Sequence, residues 1–267
     1  MQLHVRTYGS GPPLIVLHGL FGSSENWETI SRRFSASFQV LAVDQRNHGR
    51  SPHSPEMSYP LMAEDLRELL EERGLERACV LGHSMGGKTA MQFALQHPAR
   101  VERLVVVDIA PRAYAPRHQR IFQGLLSLDV ARFESRKQME EALAPFIPNL
   151  AVRRFLLKNV AAASDGGFRW RMGLHEIQDN YDRLGAALSA DRPFSGPTLF
   201  IRGEQSDYLQ EADLAWIRPL FPRAELAVVG PAGHWVHAEA PEALFRTIRE
   251  FFLSRSTAGE ERGGVVR

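Results

Sequence analysis

Six short apolar runs, at residues 14–17, 40–43, 78–81, 104–107, 198–201 and 226–229, are separated by stretches whose apolar residues recur at helical spacing. Within each run the hydrophobicity is continuous rather than alternating, which is the pattern of a strand buried on both faces. Helices are expected near 24–36, 58–73, 85–97, 208–219 and 240–254. Strands that alternate with helices pair in parallel through right-handed crossovers. The fold class is therefore α/β, a mostly parallel twisted sheet flanked by helices. The first six residues alternate like a further strand and lack the apolar centre of a signal peptide.

One interval breaks the alternation. Residues 111–193 carry helical patterns near 117–128, 136–144, 150–163 and 173–188 and no convincing strand, which reads as a helical cap inserted into the sheet domain. The expected organisation is a discontinuous core, 1–110 with 194–255, the cap at 111–193, and a disordered tail at 256–267 whose residues are turn-forming and charged. At 267 residues the chain is long enough to bury a core without disulfides. Its net charge of +1 gives no footprint for nucleic acid. No apolar stretch reaches the roughly 18 residues of a membrane span. The single cysteine, Cys79, excludes an internal disulfide and fits a cytoplasmic setting. It lies in a strand and reads as packing. No His/Cys/Asp/Glu cluster has metal-ligand spacing and no dinucleotide fingerprint is present, so no metal and no cofactor are implied.

The run at 78–81 leads into Gly82-His83-Ser84-Met85-Gly86-Gly87 and then into a helical pattern. This is G-x-S-x-G at a strand-to-helix junction, the nucleophile elbow. The turn crowds the backbone, so glycines at 82 and 86 relieve clashes while the Ser84 hydroxyl stands exposed at a helix N-terminus. The same residues, 82–89, also satisfy the G-x-x-x-x-G-K-[ST] phosphate loop with Lys88 as phosphate ligand, so nucleotide binding is a remote alternative. What separates the two is the turn His18-Gly19-Leu20 after the run at 14–17. It can aim the Leu20 N–H where the Met85 N–H points, and two convergent amides stabilise an acyl-transfer oxyanion by about 3 kcal/mol each. Phosphate binding needs no such element. Ten histidines occur in the chain. His234, directly after Gly233 at the end of the last strand, is placed as general base for Ser84. His18 and His237 read as structural.

With these segments in order, the chain resembles the α/β-hydrolase fold family, and within it the YbfF-like bacterial esterases. The resemblance rests on Asp44-Gln45-Arg46-Asn47-His48-Gly49-Arg50-Ser51-Pro52, on the segment around Ser58-Tyr59-Pro60, on the elbow through Lys88, on Asp108-Ile109-Ala110-Pro111 and on Gly233 to Glu239. Most of the family carries its acid in a G-x-x-D turn, where this chain has Gly203-Glu204-Gln205-Ser206 with Asp207 one residue late. The YbfF-like pattern instead implies Asp108, at the end of the preceding strand, as the acid; Asp207 is the alternative. Asp44 is expected to pair with Arg46 or to hold its loop.

The resemblance implies a Ser84–His234–Asp108 triad with Leu20 and Met85 amides as oxyanion hole, and a carboxylesterase acting on a small-molecule acyl ester of short to medium chain. Acyl-CoA thioesters are a possible substrate. A serine nucleophile disfavours epoxide and haloalkane chemistry. Aromatic and aliphatic residues of the insert, Phe122, Leu125, Leu126, Phe133, Phe146, Phe155, Phe168 and Trp170, are candidates for an acyl pocket. Seven insert arginines (Arg112, Arg117, Arg120, Arg153, Arg154, Arg169 and Arg171) are candidates to meet an anion. A lyase of the menaquinone-pathway type and a carbon–carbon bond hydrolase remain open alternatives on the same fold, and a catalytically silent binding protein a remote one. Oligomeric state is not legible.

Overall fold

The computed structural model describes residues 1–164 and 166–253. The tail expected to be disordered lies outside them. The strands of the main sheet are β1 (Val5–Tyr8), β2 (Pro13–Leu17), β3 (Gln39–Val43), β4 (Ala78–His83), β5 (Val101–Val107), β8 (Thr198–Gly203) and β9 (Ala224–Val229). A small hairpin is formed by β6 (Val160–Ala162) and β7 (Phe168–Trp170). The main sheet has the order β1-β3-β2-β4-β5-β8-β9, with β1 antiparallel to β3 and every other pair parallel.

Continuous apolar runs arise because both faces of the sheet are covered. Ile15, Leu17, Val80, Leu104, Val106 and Phe200 point into one cluster, while Leu14, Val16, Leu81, Val105, Leu199 and Ile201 point into another. The first side is closed by α2 (Tyr59–Glu72) and α3 (Met85–Gln96). Helix α2 starts after Ser58, carries Pro60 at its first turn and buries Met62, Ala63, Leu66, Leu69 and Leu70 along one stripe. The second side is closed by α1 (Glu28–Phe34) and, from the chain's far end, α11 (Pro241–Leu253), where Phe34 meets Phe245 and Phe252. Cys79 is buried in this layer, and burial pushes its thiol up to about 12, so it packs and does not react.

Between β5 and β8 the chain leaves the sheet and builds α4 (Gln119–Ser127), α5 (Arg136–Leu143), α6 (Leu150–Leu157), the β6–β7 hairpin, α7 (Leu174–Asp179) and α8 (Tyr181–Gly185). The hairpin corrects the expectation of an all-helical insert: the helix foreseen over 150–163 ends at Leu157, and Val160–Ala162 pairs with Phe168–Trp170 instead. The helix foreseen over 208–219 is likewise reduced to α9 (Leu214–Ile217). Its first half is irregular because side chains take over the backbone bonding, with Gln210 N–H on Asp213 and Tyr208 N–H on Ser206. A short α10 (Val236–Glu239) precedes α11.

Candidate active site

All the parallel strands end on one edge of the sheet, and Ser84 stands between the last residue of β4 and the first of α3. Its backbone lies at φ 54°, ψ −120°, a conformation costing about 1–3 kcal/mol for a residue with a Cβ. The neighbouring glycines make that turn possible. A Cβ on Gly82 would stand 2.1 Å from the Gly86 carbonyl oxygen, and one on Gly86 would stand 2.5 Å and 2.6 Å from the carbonyl oxygens of His18 and Leu17. The elbow is therefore pressed directly onto the end of β2. Met85 opens α3, so its N–H has no acceptor within the helix.

The turn after β2 is held by imidazoles. The His18 Nδ1–H donates to Gly19 O at 2.8 Å while its Nε2 accepts the Gln45 N–H at 3.0 Å. His48 Nε2 accepts the Phe21 N–H at 3.2 Å, and Phe21 takes the left-handed φ of 60° that turns the chain back. Asp44 accepts the Ser24 and Arg50 N–H groups at 2.6 and 2.9 Å, so it holds its loop. The expected pairing of Asp44 with Arg46 does not form: Arg46 is drawn to Asp65 of α2, buried, at 2.7 Å. Leu20 and Met85 both line the cavity at Ser84.

His234 follows β9. Its Nε2 lies 3.0 Å from Ser84 Oγ and its Nδ1 2.8 Å from Asp108 Oδ2. Asp108 closes β5 at φ 55° and is fully buried; it also accepts the Gly203 N–H at 3.0 Å on Oδ1 and the Ser206 hydroxyl on Oδ2. Asp207 is turned away, its carboxylate 73% exposed and paired with Arg117 at 2.8 Å. Tyr208 stacks on the His234 ring at 3.8 Å between centroids and 18° between planes. His83 Nε2–H donates to His234 O at 2.8 Å. Sequence reasoning noted a serine in the family's acid position without foreseeing that its hydroxyl reaches Asp108, and it did not foresee Tyr208 at all. The position of both, within two residues of the turn after β8, was the signal.

Two cavities meet at Ser84. The larger, about 140 Å³, is lined by Tyr59, Lys88, Ile109, Tyr114, Tyr181 and Tyr208 among others; the smaller, about 60 Å³, by Gly19, His118, Phe155, His234 and Trp235 among others. Of the insert residues expected to form an acyl pocket, Phe155 lines a cavity, while Phe122 and Leu125 are core and Leu126, Phe133, Phe146, Phe168 and Trp170 pack against it. The tyrosines do the lining instead, reaching inward from α2 (Tyr59), the insert (Tyr114 and Tyr181) and the loop after β8 (Tyr208). Of the arginines, Arg117 lines the larger cavity, whereas Arg112, Arg154 and Arg171 pair with Asp213, Glu140 and Glu25. Lys88 and Thr89 lie inside α3, with Lys88 Nζ on the carbonyls of Arg112 and Ala186 and the Thr89 hydroxyl on Met85 O, so 82–89 is an elbow and not a phosphate cradle. Among the described residues no group of three or more His, Cys, Asp or Glu is placed to hold a metal, and no helix is long and apolar enough to cross a membrane.

A serine, an imidazole and a buried carboxylate in hydrogen-bond sequence at the carboxyl edge of a parallel sheet define a hydrolase-type site on an α/β scaffold. Residues 12–241 match the model of the alpha/beta hydrolase fold, and the chain belongs to that family. It is 40% identical to the mouse sn-1-specific diacylglycerol lipase ABHD11 over 248 residues, 90% of this chain and 80% of the relative. It is 35% identical to the Escherichia coli esterase YbfF over 94% of this chain and 99% of the relative. A solved marine microorganism esterase superimposes with a TM-score of 0.92 at 42% identity, covering 94% of this chain and 99% of the other. The protein is an ester-hydrolysing enzyme of this family.

Two outcomes follow from the site's construction. Gly86→Ala must displace the β2 turn or the elbow, and an ångström of misplacement lowers kcat by about 10²-fold; circular dichroism should remain that of a folded protein. The buried histidines set an acid limit. Burial holds His18 below its ordinary range, His48 at about 3 and His83 well below, so all three stay neutral in the fold. An unfolded chain protonates them near 6.5, so below that pH it binds more protons and stability falls as pH drops, by up to about 1.4 kcal/mol per pH unit for each histidine. Urea midpoints should fall steeply between about pH 6.5 and 4.5.

Proposed function

We propose that Ser84, His234 and Asp108 are the catalytic triad of a serine carboxylesterase, with the Leu20 and Met85 amides as oxyanion hole. The observation that carries this is the continuous bonding from Asp108 through His234 to Ser84 at 2.8 and 3.0 Å. His234 removes the Ser84 proton as Oγ bonds to the ester carbonyl carbon, and the carbonyl oxygen becomes an oxyanion between the two amides. Collapse breaks the bond to the leaving group, which takes the proton from His234. Water, deprotonated by the same imidazole, then releases the acid and regenerates Ser84. Asp108 orients the Nδ1–H and balances the imidazolium. The Gly203 amide and Ser206 hydroxyl keep the carboxylate in that pose.

Residues 111–193 act in this reading as a cap over a core made of 1–110 and 194–255. The two cavities divide the substrate. The leaving oxygen must receive its proton from His234, which lines the smaller cavity, so the alcohol or thiol lies there and the acyl chain occupies the larger, tyrosine-lined one. A cavity of about 140 Å³ suits acyl chains of short to medium length, as ester or thioester. The esterase and lipase names of the relatives support a carboxylic ester as the electrophile.

Intact-mass analysis after treatment with a fluorophosphonate tests the nucleophile: one adduct on the wild type and none on Ser84→Ala. The acid is tested by asparagine substitution. Asp108→Asn should lower kcat by about 10⁴-fold, and Asp207→Asn by less than about tenfold. Equal effects of the two would overturn the assignment.

A further inference from the structure

Lys88 is a buried cation that the hydrolytic steps do not use. It is 1% exposed, yet among the described residues no carboxylate pairs with it. Its Nζ donates to the carbonyls of Arg112 (2.9 Å) and Ala186 (2.5 Å), both in the inserted segment, and it lies 5.0 Å and 5.6 Å from the ring centres of Tyr114 and Tyr59. An ammonium has three N–H groups, so two carbonyls leave one donor over. Holding two carbonyls together needs donors but not a charge, and a charge buried without a partner costs several kcal/mol. Of the other charged groups on this lining, Arg117 is paired with Asp207 and Asp182 makes no ion pair with Lys88; the nearby Arg112 guanidinium is taken by Asp213. Burial first, and Arg112 second, hold the Lys88 pKa down at about 7, the response of an ammonium short of negative charge.

Lys88 also lies in the first turn of α3, four residues after Ser84, which precedes that helix, and both line the larger cavity. From this juxtaposition we propose that Lys88 is the specificity-determining residue of the acyl cavity, and that the preferred substrates are esters or thioesters whose acyl group ends in a carboxylate, of the succinyl or glutaryl length. The free N–H of Lys88 receives the carboxylate while the scissile carbonyl sits at Ser84. This deepens the serine esterase reading and rests on it.

The test compares three ethyl esters on the intact enzyme: monoethyl glutarate, its neutral isostere ethyl 4-carbamoylbutanoate, and ethyl pentanoate. The wild type should hydrolyse the carboxylate with kcat/KM about tenfold or more above that of the amide. In Lys88→Met this ratio should collapse to about 1 or below, whatever the variant does to the absolute rates. A wild-type ratio of 1 or less overturns the proposal, as does a variant that lowers both substrates equally and so leaves the ratio unchanged. Should Lys88→Met not fold, wild-type inhibition decides: glutarate should compete with ethyl pentanoate and glutaramide should not, and equal potency overturns it. Turnover of ethyl pentanoate without discrimination refutes the role of Lys88 alone. Failure on all three esters, with no fluorophosphonate adduct, refutes the esterase reading beneath it.

Discussion

The contact on which the site depends is the one between the elbow and the end of β2. At residue 86 there is no room for a side chain, because the carbonyl oxygens of Leu17 and His18 occupy the place a Cβ would take. Adjacent parallel strands put β2 and β4 side by side, and the missing atom lets the turns that follow them touch. Leu20 of one turn and Met85 of the other line the cavity at Ser84. The positive φ of the serine is held between that contact and β5, where its N–H is fixed to Val107 O at 3.0 Å. Strain at one residue is thus held by three strands.

The turn after β8 shows a division of labour. Gly203 and Ser206 solvate the buried carboxylate, and Tyr208 covers one face of the imidazole. Asp108 itself arrives from the neighbouring strand, β5. Having the carboxylate and the groups that solvate it on different strands ties β5, β8 and the loop after β9 into one unit. The neutral histidines do similar work on the opposite side, where His48 accepts the Phe21 amide of the β2 turn and His18 the Gln45 amide of the loop after β3, without bringing charge near Ser84.

The central strands were legible because every one of their residues must be apolar when both faces are covered, and the elbow because glycine has no substitute where backbones meet. That Asp108 and not Asp207 meets His234 was expected from family resemblance rather than from spacing, since each follows a strand and the two differ in which way the chain turns afterwards. Less could be read where local signals compete. Val160–Ala162 belongs to a hairpin too short to show periodicity, and it follows a helix with nothing but Lys158 and Asn159 between. The cavity was misread for a related reason. Phenylalanines advertise burial but not where, and the walls turned out to be tyrosines whose hydroxyls bond carbonyls, as Tyr59 does with Leu184 and Tyr114 with Tyr208.

The meeting of two unlike cavities at a single oxygen has a stereochemical consequence. In the proposed pathway the reacting carbon bears four different neighbours: Ser84 Oγ, the oxyanion, the acyl chain and the leaving group. Each has its own wall, namely the elbow, the paired amides, the tyrosine-lined space and the His234 side. Four distinguishable directions around one carbon define a handedness, so attack is confined to one prochiral face of a planar ester. The enzyme is therefore a chiral template even for substrates that contain no stereocentre, and a phosphorus centre with four fixed substituents would be accepted in one configuration in preference to its mirror image.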